Sequence, residues 1–235
     1  MVEAIRSVQT QTLNNIEIFV VNDRSTDDSE AVIREAIRAD KRFTLLNVDF
    51  GNLSATRNAG IAAGDAPFVC CLDADDRMGR EDFLEILVSA LEQDPSLGIA
   101  YTGITVMDAE GKLGHLNAWP KGYDVERMVA RQNQIPSLCV FRRNMWERAG
   151  GFRPHFRYAE DAEFWLSGVG LGFKARQITK EGLFHYRLHQ KSASQVHRTG
   201  EVPEPDWTEF HPWARDGQRP LAADGQPPRT SWPVR

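Results

Sequence analysis

Phe68-Val69-Cys70-Cys71-Leu72-Asp73-Ala74-Asp75-Asp76 is an apolar run that ends in three carboxylates. Its length and composition read as a strand buried on both faces. Open α/β sheets bind ligands at the carboxyl ends of such strands. Aspartate is a hard oxygen donor suited to Mg²⁺ or Mn²⁺. Two like charges about 4 Å apart repel by roughly 1 to 4 kcal/mol between bulk-water and near-surface dielectrics, and a shared cation removes that repulsion. The competing reading is a solvated loop with Asp76 capping the next helix. The cluster alone leaves both open.

Working outward, the same alternation repeats. Val2, Ile5 and Val8 fall on one helical face, so the chain opens in an amphipathic helix. Ile16 to Val21 reads as a buried strand, followed by a helix over 29–39 with Val32, Ile33, Ala36 and Ile37 inward. Ser25 and Asp28 have the spacing of a capping box. Phe43 to Val48 reads as a strand and 54–63 as a helix ended by Gly64. After the acidic cluster, Phe83, Leu84, Leu87, Val88 and Leu91 mark another helix. Strands alternating with such helices predict an α/β layer fold. Beyond Pro95 the pattern changes. Segments 99–107 and 112–116 flank a hairpin turn at Asp108-Ala109-Glu110-Gly111. Tyr123 to Arg131 reads as helical, and Ile135 to Phe141 as a strand. A helix over 144–149 ends at Gly150-Gly151, another begins near Glu160, and 173–178 reads as a late strand. The segment 199–235 is rich in proline and lacks periodicity, so it is expected to be an irregular tail.

Composition narrows the function. A formal net charge of −5 over 235 residues does not favour a nucleic-acid partner. The apolar runs are too short to span a bilayer, although peripheral membrane contact stays open. Cys70, Cys71 and Cys139 lack zinc or disulfide spacing, and a reducing cytoplasm is the expected setting.

Asp-x-Asp after an apolar strand also occurs in haloacid-dehalogenase-type phosphatases. That class would place it near the first strand with a lysine following. Here two strand–helix units precede it, and no lysine lies between Asp73 and Lys112. Five segments point elsewhere: Val20-Val21-Asn22-Asp23-Arg24-Ser25-Thr26-Asp27, Gly51-Asn52-Leu53-Ser54-Ala55-Thr56-Arg57-Asn58-Ala59-Gly60, Leu72 to Asp76, Gly150-Gly151-Phe152, and Glu160-Asp161-Ala162-Glu163-Phe164-Trp165-Leu166. In this order, they resemble the family 2 glycosyltransferases of the GT-A fold, across residues 1–198. The resemblance implies a nucleotide-diphospho-sugar transferase-like fold, with a mixed, mainly parallel central sheet flanked by helices. It implies a nucleoside-diphosphate sugar donor, Mn²⁺ or Mg²⁺ as cofactor, and a saccharide, lipid-linked saccharide or protein acceptor. By the same resemblance Asp23, Arg57 and Asp73 meet the donor and Asp75 ligates the metal. His189 joins as a metal or phosphate contact, with His185 as its local rival. Asp161 is the general base of an inverting transfer.

Acidic residues at a helix start are also ordinary caps, and the helix dipole there favours carboxylate, which would lower the pKa of Asp161. Trp165, one turn on, reads as core. The chain departs from the family in two respects. The first strand and its base-contacting loop are not represented, so the domain is expected to be N-terminally incomplete. Arg24 also stands where glycine is usual and takes positive φ at higher cost. Two further readings remain: a glycosyltransferase-like module without catalysis, and a sugar-nucleotidyltransferase, which would need a Gly-rich basic loop after its first strand.

Overall fold

In the computed structural model, residues 1–117, 133–156, 158–190 and 192 are described. The helix expected over 123–131 and the tail over 199–235 lie outside them. Helix α1 (Val2–Gln9) opens the chain, burying Ala4 and Ile5. Strand β1 (Ile18–Asp23), α2 (Ser29–Ile37) and β2 (Phe43–Val48) follow, and β1 and β2 pair in parallel from Ile18 opposite Phe43 to Asp23 opposite Val48. The capping box does not form. Asn22 Oδ1 accepts the Ser25 N–H and Asp27 Oδ1 accepts that of Ser29, so other side chains take the donors at this turn.

Helix α3 (Leu53–Ala62) starts on a side-chain cap, Asn52 Oδ1 accepting from Ala55 N at 3.0 Å. Gly64 is not a left-handed cap. Its value is steric, since a Cβ there would sit 2.8 Å from the Phe19 ring. Strand β3 (Phe68–Cys70) leads through the acidic loop into β4 (Arg77–Met78) and α4 (Phe83–Gln93). The hairpin is present as β5 (Leu97–Met107) and β6 (Leu113–Asn117), turning at Gly111 with φ 86°. The 135–141 strand shortens to β7 (Val140–Arg142), which runs into α5 (Arg143–Ala149). Gly150 ends α5 in the left-handed region at φ 81°. Helix α6 (Glu160–Gly170) and strand β8 (Lys174–Arg187) complete the described fold.

The second sheet runs β3-β7-β5-β8-β4 with β6 on β5. The expected α/β fold with a mixed sheet flanked by helices is present. Among the described residues only β1–β2 and β5–β8 pair in parallel, because the later half returns through antiparallel connections. Strand β8 extends past 178 because β5 partners it as far as Arg187.

Strand β5 is the spine, apolar on both faces. Ile99 and Tyr101 enter a core with Phe141, Phe152, Phe164 and Trp165, while Ala100 enters another with Phe83, Leu87 and Phe184. Trp165 is core as expected, meeting the Phe141 ring at 5.5 Å in an edge geometry. Between the two sheets, α3 places Gly60 against Val21 and Ile61 in the core that holds Val69.

Candidate active site

The acidic loop is held from two sides. Asp76 N donates to Asp73 O at 3.1 Å, closing a turn. Asp76 is buried and accepts the Arg187 N–H at 2.7 Å. Burial, reinforced by the Asp73 and Asp75 carboxylates, pushes its carboxyl up to about 8. Arg187, at the end of β8, donates Nε to Asp75 O at 2.7 Å and reaches Ala109 O and Glu3 with its other nitrogens. Nothing in the sequence gives Arg187 a role. Its partners lie up to 184 positions away, so only the fold reveals it.

His189 Nε2 lies 3.0 Å from Asp75 Oδ2, which brings together the two residues expected at the metal. Ser192 fixes the turn that presents the imidazole: its Oγ accepts His189 N and its N–H donates to His189 O. The pair opens on a cleft of about 490 Å³ lined by Ala74, Ala109, Arg187 and residues 1–3. His185 is placed otherwise. It accepts from Arg77 Nε at 3.3 Å across β4–β8 and packs on Gly79, where a Cβ would collide with the ring. Burial, with the Arg77 charge, lowers its pKa.

No group of three or more His, Cys, Asp or Glu side chains that could hold a metal converges among the described residues. Asp75 and His189 nonetheless offer one hard oxygen and one imidazole nitrogen on an open cleft. That pair fits Mn²⁺ or Mg²⁺ if substrate oxygens and water complete the shell, as is usual for these ions with phosphates.

The second half of the site centres on Arg57. Its Nη2 donates to both Asp73 oxygens at 2.8 and 3.1 Å, and its Nη1 to Glu160 Oε1 at 2.6 Å. The side chain is 8% exposed and lies over the Phe152 ring at 5.5 Å. The guanidinium expected at the donor is therefore spent on two protein carboxylates. Asp161, the next residue after Glu160, is half-buried. Its Oδ1 accepts its neighbour's N–H from Ala162 at 2.7 Å, and its Oδ2 accepts from Asn133 Nδ2 at 3.2 Å. Burial, helped by the Glu160 charge, pushes the carboxyl up to about 7, against the opposing pull of Arg57 and the Ala162 N–H. This reverses the lowering expected from the helix dipole: lost hydration and a like charge outweigh it. Asn133 was not identified from the sequence. Its Oδ1 accepts Ile135 N, which commits its NH₂ to Asp161.

Asp23 turns onto the start of α3. Its Oδ1 accepts from Phe50 N and Gly51 N, and its Oδ2 from Asn52 N and Thr56 Oγ1, at 2.7 to 3.1 Å. Burial alone would raise its pKa, but these four bonds outweigh it and hold the carboxyl below its usual value. The carboxylate expected at the nucleotide thus fixes the 50–52 turn and the start of α3. Arg24 takes φ 48°, the strained conformation anticipated for it, and its guanidinium covers Gly51. The Gly150-Gly151-Phe152 motif is also explained. Asn58 donates to Phe152 O and accepts from Phe152 N and Trp146 Nε1, and a Cβ on Gly151 would sit 2.8 Å from Asn58 Oδ1.

Comparison with known proteins bears on the fold and the family. An uncharacterized glycosyltransferase of Haemophilus influenzae is 28% identical over 211 residues, covering 83% of this chain and 63% of that protein. The putative glycosyltransferase EpsH of Bacillus subtilis is 28% identical over 203 residues, covering 81% of this chain and 58% of its own length. The chain thus spans about three-fifths of these relatives. The mannosyltransferase PcManGT from Pyrobaculum calidifontis, solved with GDP-Man and Mn²⁺, shares the fold with a TM-score of 0.63 at 18% identity, over 92% of this chain and 64% of that one. The family model for glycosyl transferase family 2 matches residues 1–148, so with its GT-A fold and its acidic loop facing the cleft, the chain belongs to that family.

Proposed function

We propose that the chain carries the donor and catalytic elements of an inverting glycosyltransferase that moves a sugar from a nucleoside-diphosphate sugar onto an acceptor hydroxyl. The observation that carries this is the joining of Asp161 and the acidic loop in one network. A carboxyl brought to about 7 is matched to accept a proton near neutral pH, and Arg57 ties its neighbour Glu160 to Asp73. Ionised Asp161 removes the acceptor hydroxyl's proton as that oxygen bonds to the anomeric carbon. The bond from that carbon to the diphosphate oxygen breaks, its electron pair leaves with the diphosphate, and the configuration inverts. No covalent sugar–protein intermediate is needed. Asp75 and His189 would hold Mn²⁺ or Mg²⁺, which supplies charge neutralisation for the departing diphosphate when bound. Asp73 borders the donor, and Asp23 fixes the 50–52 turn. The mannosyltransferase of like fold holds GDP-Man and Mn²⁺, which supports a donor of this class. Saccharide, lipid-linked saccharide and protein acceptors all satisfy the chemistry.

Thermal-shift screening of UDP-, GDP- and dTDP-sugars with and without Mn²⁺ tests the reading. A donor at roughly a hundred times its Kd should stabilise the fold by about 2.7 kcal/mol. A folded sample that responds to no donor under either condition would favour a non-catalytic module.

A further inference from the structure

We propose that Arg57 is a positioning residue: it clamps the acidic loop through Asp73 to the start of α6 through Glu160, and so sets where Asp161 stands. The proposal rests on the reading of Asp161 as base. Residues 57, 73 and 160 come from three separate segments, α3, the loop after β3, and α6. A single guanidinium meets both carboxylates at 2.6 to 3.1 Å while its face lies on Phe152. Planar, forked donation of this kind fixes direction as well as distance, which an ammonium cannot do.

Charge supports the geometry. The charged and titratable groups acting on Asp161 are Glu160 on its own helix, Arg57 on α3, Asp73 after β3 and Cys139 ahead of β7. Arg57 is the cation of this set. It faces two carboxylates with a third beside them, so it offers a diphosphate no net positive field. Its place in the structure is to hold the two halves of the site together.

The test uses the full chain with ¹³C-labelled aspartate, reading the Asp161 carboxyl by NMR against Asp161→Asn, alongside kcat and KM. Arg57→Lys keeps the charge and loses the fork. It should leave the Asp161 midpoint within a few tenths of a pH unit, while kcat falls about tenfold, as for a lost hydrogen bond to a charged group. Arg57→Gln removes the charge. The midpoint should rise by about one pH unit, and adding Glu160→Gln should bring it back down. Should Arg57→Gln fail to fold, Arg57→Lys alone decides, through the fall in kcat and roughly tenfold faster amide exchange at Ala162 and Glu163 at the start of α6. A donor KM that rises with kcat and midpoint unmoved would make Arg57 a donor contact and overturn the proposal. A folded Arg57→Gln protein with an unmoved midpoint would do the same. If the wild-type chain transfers no sugar, the functional reading fails, while the midpoint shift still decides the clamp.

Discussion

The two halves of the candidate site are built in opposite ways. On one, Asp75 and His189 meet at 3.0 Å with side chains 41% and 29% exposed. On the other, Arg57 and Glu160 are 8% and 11% exposed, and Asn133 and the Ala162 N–H hold Asp161 in place. On the proposed reading the exposed half would offer a metal two ligands and leave the rest of the shell to the substrate. The buried half holds its charges with bonds from within the protein, Arg57 to Asp73 and Glu160, which leave little to reorganise. A transferase gains from this division. The donor and cation must come and go, whereas the base must stand in one place for proton transfer.

The largest effect expected from this contrast is at Asp161. Asp161→Asn keeps the shape and removes the base, so kcat should fall by about 10²- to 10⁴-fold. Donor affinity, read by calorimetry, should stay close to wild type. Unchanged turnover would take Asp161 out of the base role and leave the buried half merely structural. Asp75→Ala should act next most strongly, and in the opposite sense. Losing a group that only orients a metal ligand costs about 10- to 100-fold in metal affinity, and losing a ligand should cost at least that. The measurement is the Mn²⁺ concentration that half-saturates donor binding. If it does not move, Asp75 and His189 form an ordinary polar pair and the contrast collapses.

The exposed half was more legible in the sequence than the buried one, for a physical reason. Asp75 sits in a run of three carboxylates within four residues, and an apolar strand announces it. The buried half depends on distance. Arg57 finds Asp73 16 positions away and Glu160 103 away, and Asn133 meets Asp161 across 28. Nothing local in those residues signals a pairing. Family resemblance placed Asp23 and Arg57 in the site, but it could not say that their polar groups face inward. Local rules failed where several polar side chains competed. The Ser25–Asp28 capping box lost to Asn22, which takes the Ser25 N–H, while Asp27 takes that of Ser29.

Asn133 offers a finer test of the buried half. Its amide can turn in only one sense, because Ile135 N holds its Oδ1. Asn133→Ala removes a hydrogen bond to a charged acceptor, so kcat should fall about tenfold, with donor KM unaffected. Asn133→Asp should be worse than alanine, since it sets a second carboxylate beside the base. If alanine and aspartate behave alike, the base is held by α6 and Arg57 without help from Asn133.

The smallest expected effect is on stability, and its sign separates Asp161 from Asp23. The Asp161 carboxyl stands at about 7 in the folded chain against an ordinary value of 3.8. Between those values the folded state keeps a proton that the unfolded state has released. Stability attributable to Asp161 therefore falls as pH rises through that window. Asp161→Asn removes this slope, so the variant should gain on wild type from about pH 4 to about 7 and hold that gain above. Partial exposure and coupling to Glu160 reduce the gain to the order of 1 to 2 kcal/mol. Asp76, pushed up to about 8, adds a slope of the same sign to both proteins, so it cancels in the difference. Asp23 behaves oppositely. Its value is lowered by the bonds from the 50–52 turn and Thr56, so its contribution is present above the ordinary carboxylate range and lost as pH falls through the lowered value. Asp23→Asn should therefore cost stability at neutral pH and lose that penalty in acid. Chemical denaturation of the three proteins from pH 8 down to about pH 2.5 reads both signs, the Asp161 slope between about 4 and 7 and the Asp23 loss below about 4. A flat Asp161→Asn difference across that range would mean that burial does not raise this carboxyl, and that the base is poised by the acceptor rather than by the protein.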